Sequence, residues 1–192
     1  MVRAFIAVDI SQQARESLAG VTRSLQNAGV SQMRWVRPEG IHLTLKFLGE
    51  IDPKAVDPIL GAMDRAIEGS APFALALSGI GAFPNLNAPK VIWVGLKGDL
   101  DALGKLQERI DEEVHLALGF PKESRAFTPH LTLGRMQNNV SGEERRRAGK
   151  ATTGVDWQAD VLWQVNEVYS IRSTLKPSGA VYDVLGSRRL RA

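Results

Sequence analysis

The sequence predicts an α+β fold built on antiparallel sheets, and three observations carry that prediction. Strand-like and helix-like segments mingle without the regular βαβ spacing of a parallel sheet. No low-complexity linker divides the 192 residues, so one domain spanning 1–192 is expected. A tetrapeptide in one predicted strand recurs in another, a partial internal repeat.

Residues 3–8 are rich in β-formers and read as a first strand. Ser11 is placed to cap a helix whose apolar positions Ala14, Leu18, Val21, Leu25 and Ala28 recur at steps of four and three, and Gly29 ends it. Strands follow at Met33–Val36 and Ile41–Leu48, split by the turn residues Pro38-Glu39-Gly40. Val56, Ile59, Leu60, Met63 and Ile67 support a helix over 53–68, with Pro53 in a first turn where its missing N–H costs nothing. Strands at 73–78 and 90–96 flank a Gly-, Pro- and Asn-rich loop. Leu100, Leu103, Leu106, Ile110, Val114 and Leu118 mark the longest helix, 100–118. A strand at 127–134 comes next. Ser141-Gly142-Glu143-Glu144 forms a capping box that opens a short basic helix. Strands at 161–165, 167–174 and 181–185 complete the chain.

Composition narrows the chemistry. Apolar residues make up 44% and charged residues 23%, ordinary for a soluble globular protein. No apolar run approaches the roughly 20 residues needed to span a bilayer, and the N-terminus lacks a signal-cleavage pattern. A cytoplasmic protein without membrane partners is therefore expected. There is no cysteine, which excludes disulfides, iron–sulfur clusters, thiolate metal sites and a cysteine nucleophile. The net charge of +3 suits an anionic substrate without identifying one. Arg145-Arg146-Arg147 and the terminal Arg188, Arg189 and Arg191 read as a solvated helix face and a solubilising tail, with RNA contact the rival reading.

The repeated tetrapeptide carries the functional signal. His42-Leu43-Thr44-Leu45 recurs as His130-Leu131-Thr132-Leu133, using two of the three histidines. On a strand, alternate side chains share a face, so each histidine and threonine project together, roughly 6–7 Å apart, while the leucines enter a core. One His-x-Thr reads most simply as a half-exposed strand pair; two identical copies point to paired catalytic groups. His115, flanking the amphipathic helix, reads as a residue without a catalytic role. Metal hydrolysis lacks its motif, since there is no His-Glu-x-x-His, and Gly79-Ile80-Gly81 lacks the Gly-Lys-Ser/Thr ending of a phosphate loop.

These motifs resemble the 2H phosphoesterase superfamily, defined by two His-x-Thr/Ser-x motifs. Within it the chain is similar to the bacterial and archaeal RNA 2′,3′-cyclic phosphodiesterases, also called LigT-like 2′-5′ RNA ligases. The resemblance spans nearly the whole chain: Arg3-Ala4-Phe5-Ile6-Ala7-Val8, Trp35-Val36, His42 to Gly49, Gly79 to Pro84, Val91 to Gly95, Phe127 to Arg135 and the Tyr182 segment. Lys90 stands where relatives often carry arginine. The resemblance implies two pseudo-symmetric lobes around a central cleft with helices outside, acting on RNA or oligonucleotide ends bearing a 2′,3′-cyclic phosphate; a monomer is expected. Neither cofactor nor metal is expected, since the sequence has no cysteine and no clustered metal-ligand motif. The resemblance assigns His42 as proton donor to the leaving oxygen, His130 as acceptor from water, and Thr44 and Thr132 as substrate-binding hydroxyls. The residues alone leave the order of the two histidines open.

An unperturbed imidazole pKa near 6.5 lets acid and base forms coexist near neutrality, which suits an in-line displacement. Strict alternation from His130 turns Arg135 to the opposite face unless a bulge intervenes, and places Phe47 on the leucine side of its strand. Phe83, in a predicted loop, and Arg125 remain candidates for base stacking and phosphate contact. Ligation by the reverse reaction, and a non-catalytic RNA or nucleotide binder, are the competing functions.

Overall fold

A computed structural model describes residues 1–177 and 179–192. In chain order the elements are β1 (Val2–Val8), α1 (Gln12–Asn27), β2 (Met33–Trp35), β3 (Leu43–Ile51), α2 (Val56–Ile67), β4 (Phe73–Phe83) and β5 (Val91–Gly98). Then come α3 (Leu100–Leu118), β6 (His130–Met136), α4 (Gly142–Thr153), β7 (Leu162–Val165), β8 (Glu167–Lys176) and β9 (Gly179–Arg189). The strands form two antiparallel sheets, ordered β3-β1-β8-β9 and β2-β6-β5-β4-β7. Helices cover the outer faces, as the sequence predicts.

Local chemistry explains the helix limits. The Ser11 hydroxyl accepts from the Ala14 N–H at 3.1 Å and starts α1. The Ser141–Glu144 capping box starts α4, with the Glu144 carboxylate accepting from the Ser141 N–H at 2.9 Å. Leu18, Val21 and Leu25 of α1, Ile59 and Met63 of α2, and Leu103, Leu106 and Ile110 of α3 are buried against the sheets with Ile6, Leu43, Ile92 and Leu131. Each large side chain so buried contributes on the order of 1.5–3 kcal/mol.

Several boundaries differ from expectation. The predicted strand Ile41–Leu48 begins at Leu43, because Pro38–Gly40 forms a 3-10 turn whose Pro38 carbonyl accepts from the Ile41 N–H at 3.2 Å. The predicted 127–134 strand begins at His130, since Pro129 has no N–H to give a ladder. The helix expected over 53–68 is a 3-10 turn at Pro53–Ala55 followed by α2. β4 runs on to Phe83: an irregularity between Leu77 and Ile80 restores its pairing with β5 beyond the predicted end. Gly79-Ile80-Gly81 is therefore strand. A Cβ at Gly81 would lie 2.3 Å from the Trp93 ring, so that glycine makes room for an indole.

The internal repeat extends to register. In one sheet Val8, Ala7, Ile6 and Phe5 pair with Leu43, Thr44, Lys46 and Phe47. In the other Val94, Trp93, Ile92 and Val91 pair with Leu131, Thr132, Gly134 and Arg135. Both motif strands skip the residue after the threonine, Leu45 in one and Leu133 in the other. The two lobes thus share strand, helix, strand order and the same bulge.

Candidate active site

The bulge decides which side chains enter the cleft. An extra residue in one strand reverses the faces beyond it. After Leu45, Lys46 turns inward with Ile6, and Phe47 turns outward with Phe5 onto the face of His42 and Thr44. After Leu133, Arg135 returns with Val91 to the face of His130 and Thr132. Two expectations are corrected. Phe47 is 66% exposed and does not pack in the core, and Arg135 faces the cleft. The two occupy equivalent places in the two lobes.

Each histidine is held the same way. His42 Nδ1 lies 2.8 Å from the Gly40 carbonyl, and His130 Nδ1 lies 2.7 Å from the Thr128 carbonyl. A carbonyl oxygen only accepts, so in both rings Nδ1 carries the hydrogen and Nε2 is left free for proton transfer. The His42 ring stacks on Phe5 at 4.4 Å between centroids and meets the edge of Tyr182 at 5.1 Å. The His130 ring sits edge-on to Phe83 at 4.9 Å, with Trp93 at 6.1 Å. Phe83 is thus the last residue of β4, set against a histidine, and not a loop residue. Thr44 and Thr132 are half-buried on the same face as their histidines. Burial raises the Tyr182 pKa and lowers that of His130; the Arg135 guanidinium opposes the first shift and adds to the second, so its charge acts on both histidine environments. β3 and β6 approach each other between the sheets.

Burial sets the proton affinities. It lowers His42 from 6.5 to about 4, against a smaller opposing effect of the Gly40 hydrogen bond and Asp9, while Arg15 lowers it further. His130 is lowered as well, chiefly by burial and also by Arg135. Both imidazoles are therefore neutral at pH 7 in the free protein, in contrast with the coexisting forms expected from an unperturbed ring. A bound phosphate anion favours the imidazolium and offsets that shift.

Two further residues brace the site. From α1, Arg15 donates to the Pro38 and Ile41 carbonyls, each at 2.9 Å, and pairs with Asp9. It thereby clamps the turn that supplies the Gly40 carbonyl to His42. Lys46, turned inward by the bulge, forms a buried ion pair with Asp111 of α3 and donates to the Pro121 carbonyl at 3.0 Å. Asp111 also accepts from the Glu123 N–H at 3.1 Å. This pair pins the segment that leads to His130. Elsewhere, Arg125 is exposed on that segment, and His115 bonds the Phe120 carbonyl at the end of α3. Among the described residues, no group of three or more His, Cys, Asp or Glu side chains gathers to hold a metal. Among the described residues, no helix is long and apolar enough to cross a membrane.

Comparison with known proteins identifies the family. Residues 8–93 match the model of the LigT-like phosphoesterase family. A Methanothermobacter thermautotrophicus protein named RNA 2′,3′-cyclic phosphodiesterase is 33% identical over 182 residues, covering 94% of this chain and 95% of that one. The chain belongs to the LigT-like phosphoesterase family. Another relative of the same name, from Archaeoglobus fulgidus, is 35% identical to this LigT-like chain over 183 residues, 94% of it and 96% of the relative. A crystal structure from Thermus thermophilus superposes with a TM-score of 0.81 at 29% identity, covering 98% of each chain. Escherichia coli LigT, at 22% identity and a TM-score of 0.78 over 100% of this chain and 99% of that one, shares the fold.

Proposed function

We propose that this LigT-like chain hydrolyses RNA 2′,3′-cyclic phosphate ends to 2′-phosphomonoesters, acting as a monomer without metal or cofactor. The observation that carries the reading is the pair of histidines, each locked through Nδ1 on a backbone carbonyl two residues earlier, with Nε2 free beside a threonine. The relatives' name supplies the reaction class.

In the proposed step a water oxygen attacks phosphorus and gives its proton to His130 Nε2. The bond from phosphorus to O3′ breaks on the far side, and His42 Nε2–H protonates O3′. One P–O bond forms and one breaks, leaving a 2′-phosphate and a 3′-hydroxyl. Thr44 and Thr132 donate to the non-bridging oxygens, where charge builds. Arg135 offers a guanidinium to the same oxygens, and Phe47 offers an exposed ring for the terminal base. The inequality of Phe47 and Arg135 at equivalent positions is what orients the ribose in an otherwise symmetric cleft.

The test is incubation of the purified protein with an oligoribonucleotide ending in a 2′,3′-cyclic phosphate. The product is expected to gain one water in mass, to become sensitive to phosphatase, and to match a 2′-phosphate standard by phosphorus NMR. Chelator should leave the rate unchanged. Loss of activity on chelation, restored by a divalent metal, contradicts the metal-free mechanism, and a predominant 3′-phosphate contradicts the orientation.

A further inference from the structure

We infer that the RNA chain upstream of the reacting end leaves the cleft over a cationic rim formed by Arg34 and Arg37, which favours a polynucleotide over a lone nucleotide. This rests on the cyclic-phosphate reading above. Arg34 of β2 lies directly opposite Arg135 of β6, on the same face, and both are exposed. Like charges facing each other across a ladder repel. Neither arginine, nor Arg37, forms an ion pair among the described residues. Such a juxtaposition is relieved by an anion placed between the two guanidinium groups. Arg37, exposed just beyond β2, reaches the other sheet and donates to the Ala180 carbonyl of β9 at 3.5 Å. The rim therefore bridges both walls of the cleft at one end.

At the opposite end the charges are paired, Asp9 with Arg15 and Glu167 across the strands from Arg189. A cavity of about 650 Å³ opens there, lined by Asp9, Glu167 and Tyr169, with Arg189 its lone cation. The Glu167 carboxylate is held ionised by the Ser187 hydroxyl and, less strongly, by the Tyr169 hydroxyl. On the β8–β9 hairpin Glu167 pairs with Arg189, whereas Ser173 pairs with Tyr182, six residues further along β8, roughly 20 Å away. Arg3 acts electrostatically on Tyr182 at that basic end, with Glu50 as its cross-strand neighbour. A polyanion anchored at the histidines is drawn to the end whose arginines have no carboxylate partner among the described residues. Along β6 the backbone of Arg135 lies roughly 13 Å from that of His130, so Arg34 and Arg37 beyond it suit phosphates one or two positions upstream of the one that Arg135 meets.

The test compares wild type with the Arg34→Gln variant and the Arg34→Gln/Arg37→Gln double variant. Two substrates are used: 2′,3′-cyclic AMP and a short oligoribonucleotide with the same terminus. The double variant should lose roughly tenfold in kcat/KM on the oligonucleotide at low salt and nothing on the mononucleotide. Its binding of an oligonucleotide ending in a 2′-phosphate, followed by fluorescence anisotropy, should show a log–log salt slope shallower by about 1.4, or about 0.7 per arginine. Equal losses on both substrates, or an unchanged salt slope, overturn the inference. If wild type turns over neither substrate, the cyclic-phosphate reading fails, and the salt slope still decides the rim.

Discussion

Replacing His42 or His130 with alanine should each lower kcat on a cyclic-phosphate oligonucleotide by roughly 10²–10⁴-fold, the range of one general acid or base. The two losses should fail to add in the double variant, because removing either partner already forces the other to work without its counterpart. Both rings face the cleft, and the adjoining leucines Leu43 and Leu131 keep the strands anchored on the helix side. Far-UV circular dichroism and melting temperatures close to wild type are therefore expected. A single variant that retains near-wild-type turnover removes that histidine from the mechanism.

Lys46→Met is the second large effect, and it falls on stability. The Lys46 and Asp111 side chains are 5% and 12% exposed, so the variant leaves a buried carboxylate without its cation. Breaking such a pair by removing one partner costs about 3–5 kcal/mol. Replacing both, as Lys46→Met/Asp111→Leu, should recover a large part of that loss, because no uncompensated charge remains. Urea midpoints of the single and double variants measure the difference. If Lys46→Met unfolds at the wild-type midpoint, the pair is not a structural brace.

The sequence was most legible where periodicity and chemistry agreed. The helices were marked by apolar steps of three and four together with the Ser11 and Ser141 caps, and the paired tetrapeptides marked the histidine strands. What it concealed follows from one device. A bulge after each His-x-Thr reverses the faces of the residues that follow, and period-two reasoning carried past it turns every later side chain the wrong way. In Lys46-Phe47 the deception is complete, because hydrophobicity argues for a buried phenylalanine and an exposed lysine. The structure has the opposite: Gln107 reaches the bulged Leu45 carbonyl at 3.4 Å, and Asp111 receives the lysine. Arg135 was misplaced for the same reason. One signal was available in advance, since both motifs extend to six residues with a chemically capable side chain at the sixth, Phe47 and Arg135. The bracing role of Arg15 was beyond reach from sequence, because it depends on a helix docking against a turn more than twenty residues away.

The pH dependence of kcat/KM tests the acid–base pair most directly, because it reads the free protein's essential protonation states. The proposed step needs His42 protonated and His130 neutral. Activity should therefore fall above the His42 pKa, lowered by burial to about 4, and below the His130 pKa, itself lowered from 6.5. A bell is expected, with its maximum on the acid side of neutrality midway between the two pKa values, and a kcat profile displaced to higher pH because the bound phosphate anion favours both imidazolium forms. A kcat/KM that is flat from acid through neutral pH, or that rises through a single alkaline ionisation, would contradict a mechanism run by these two histidines.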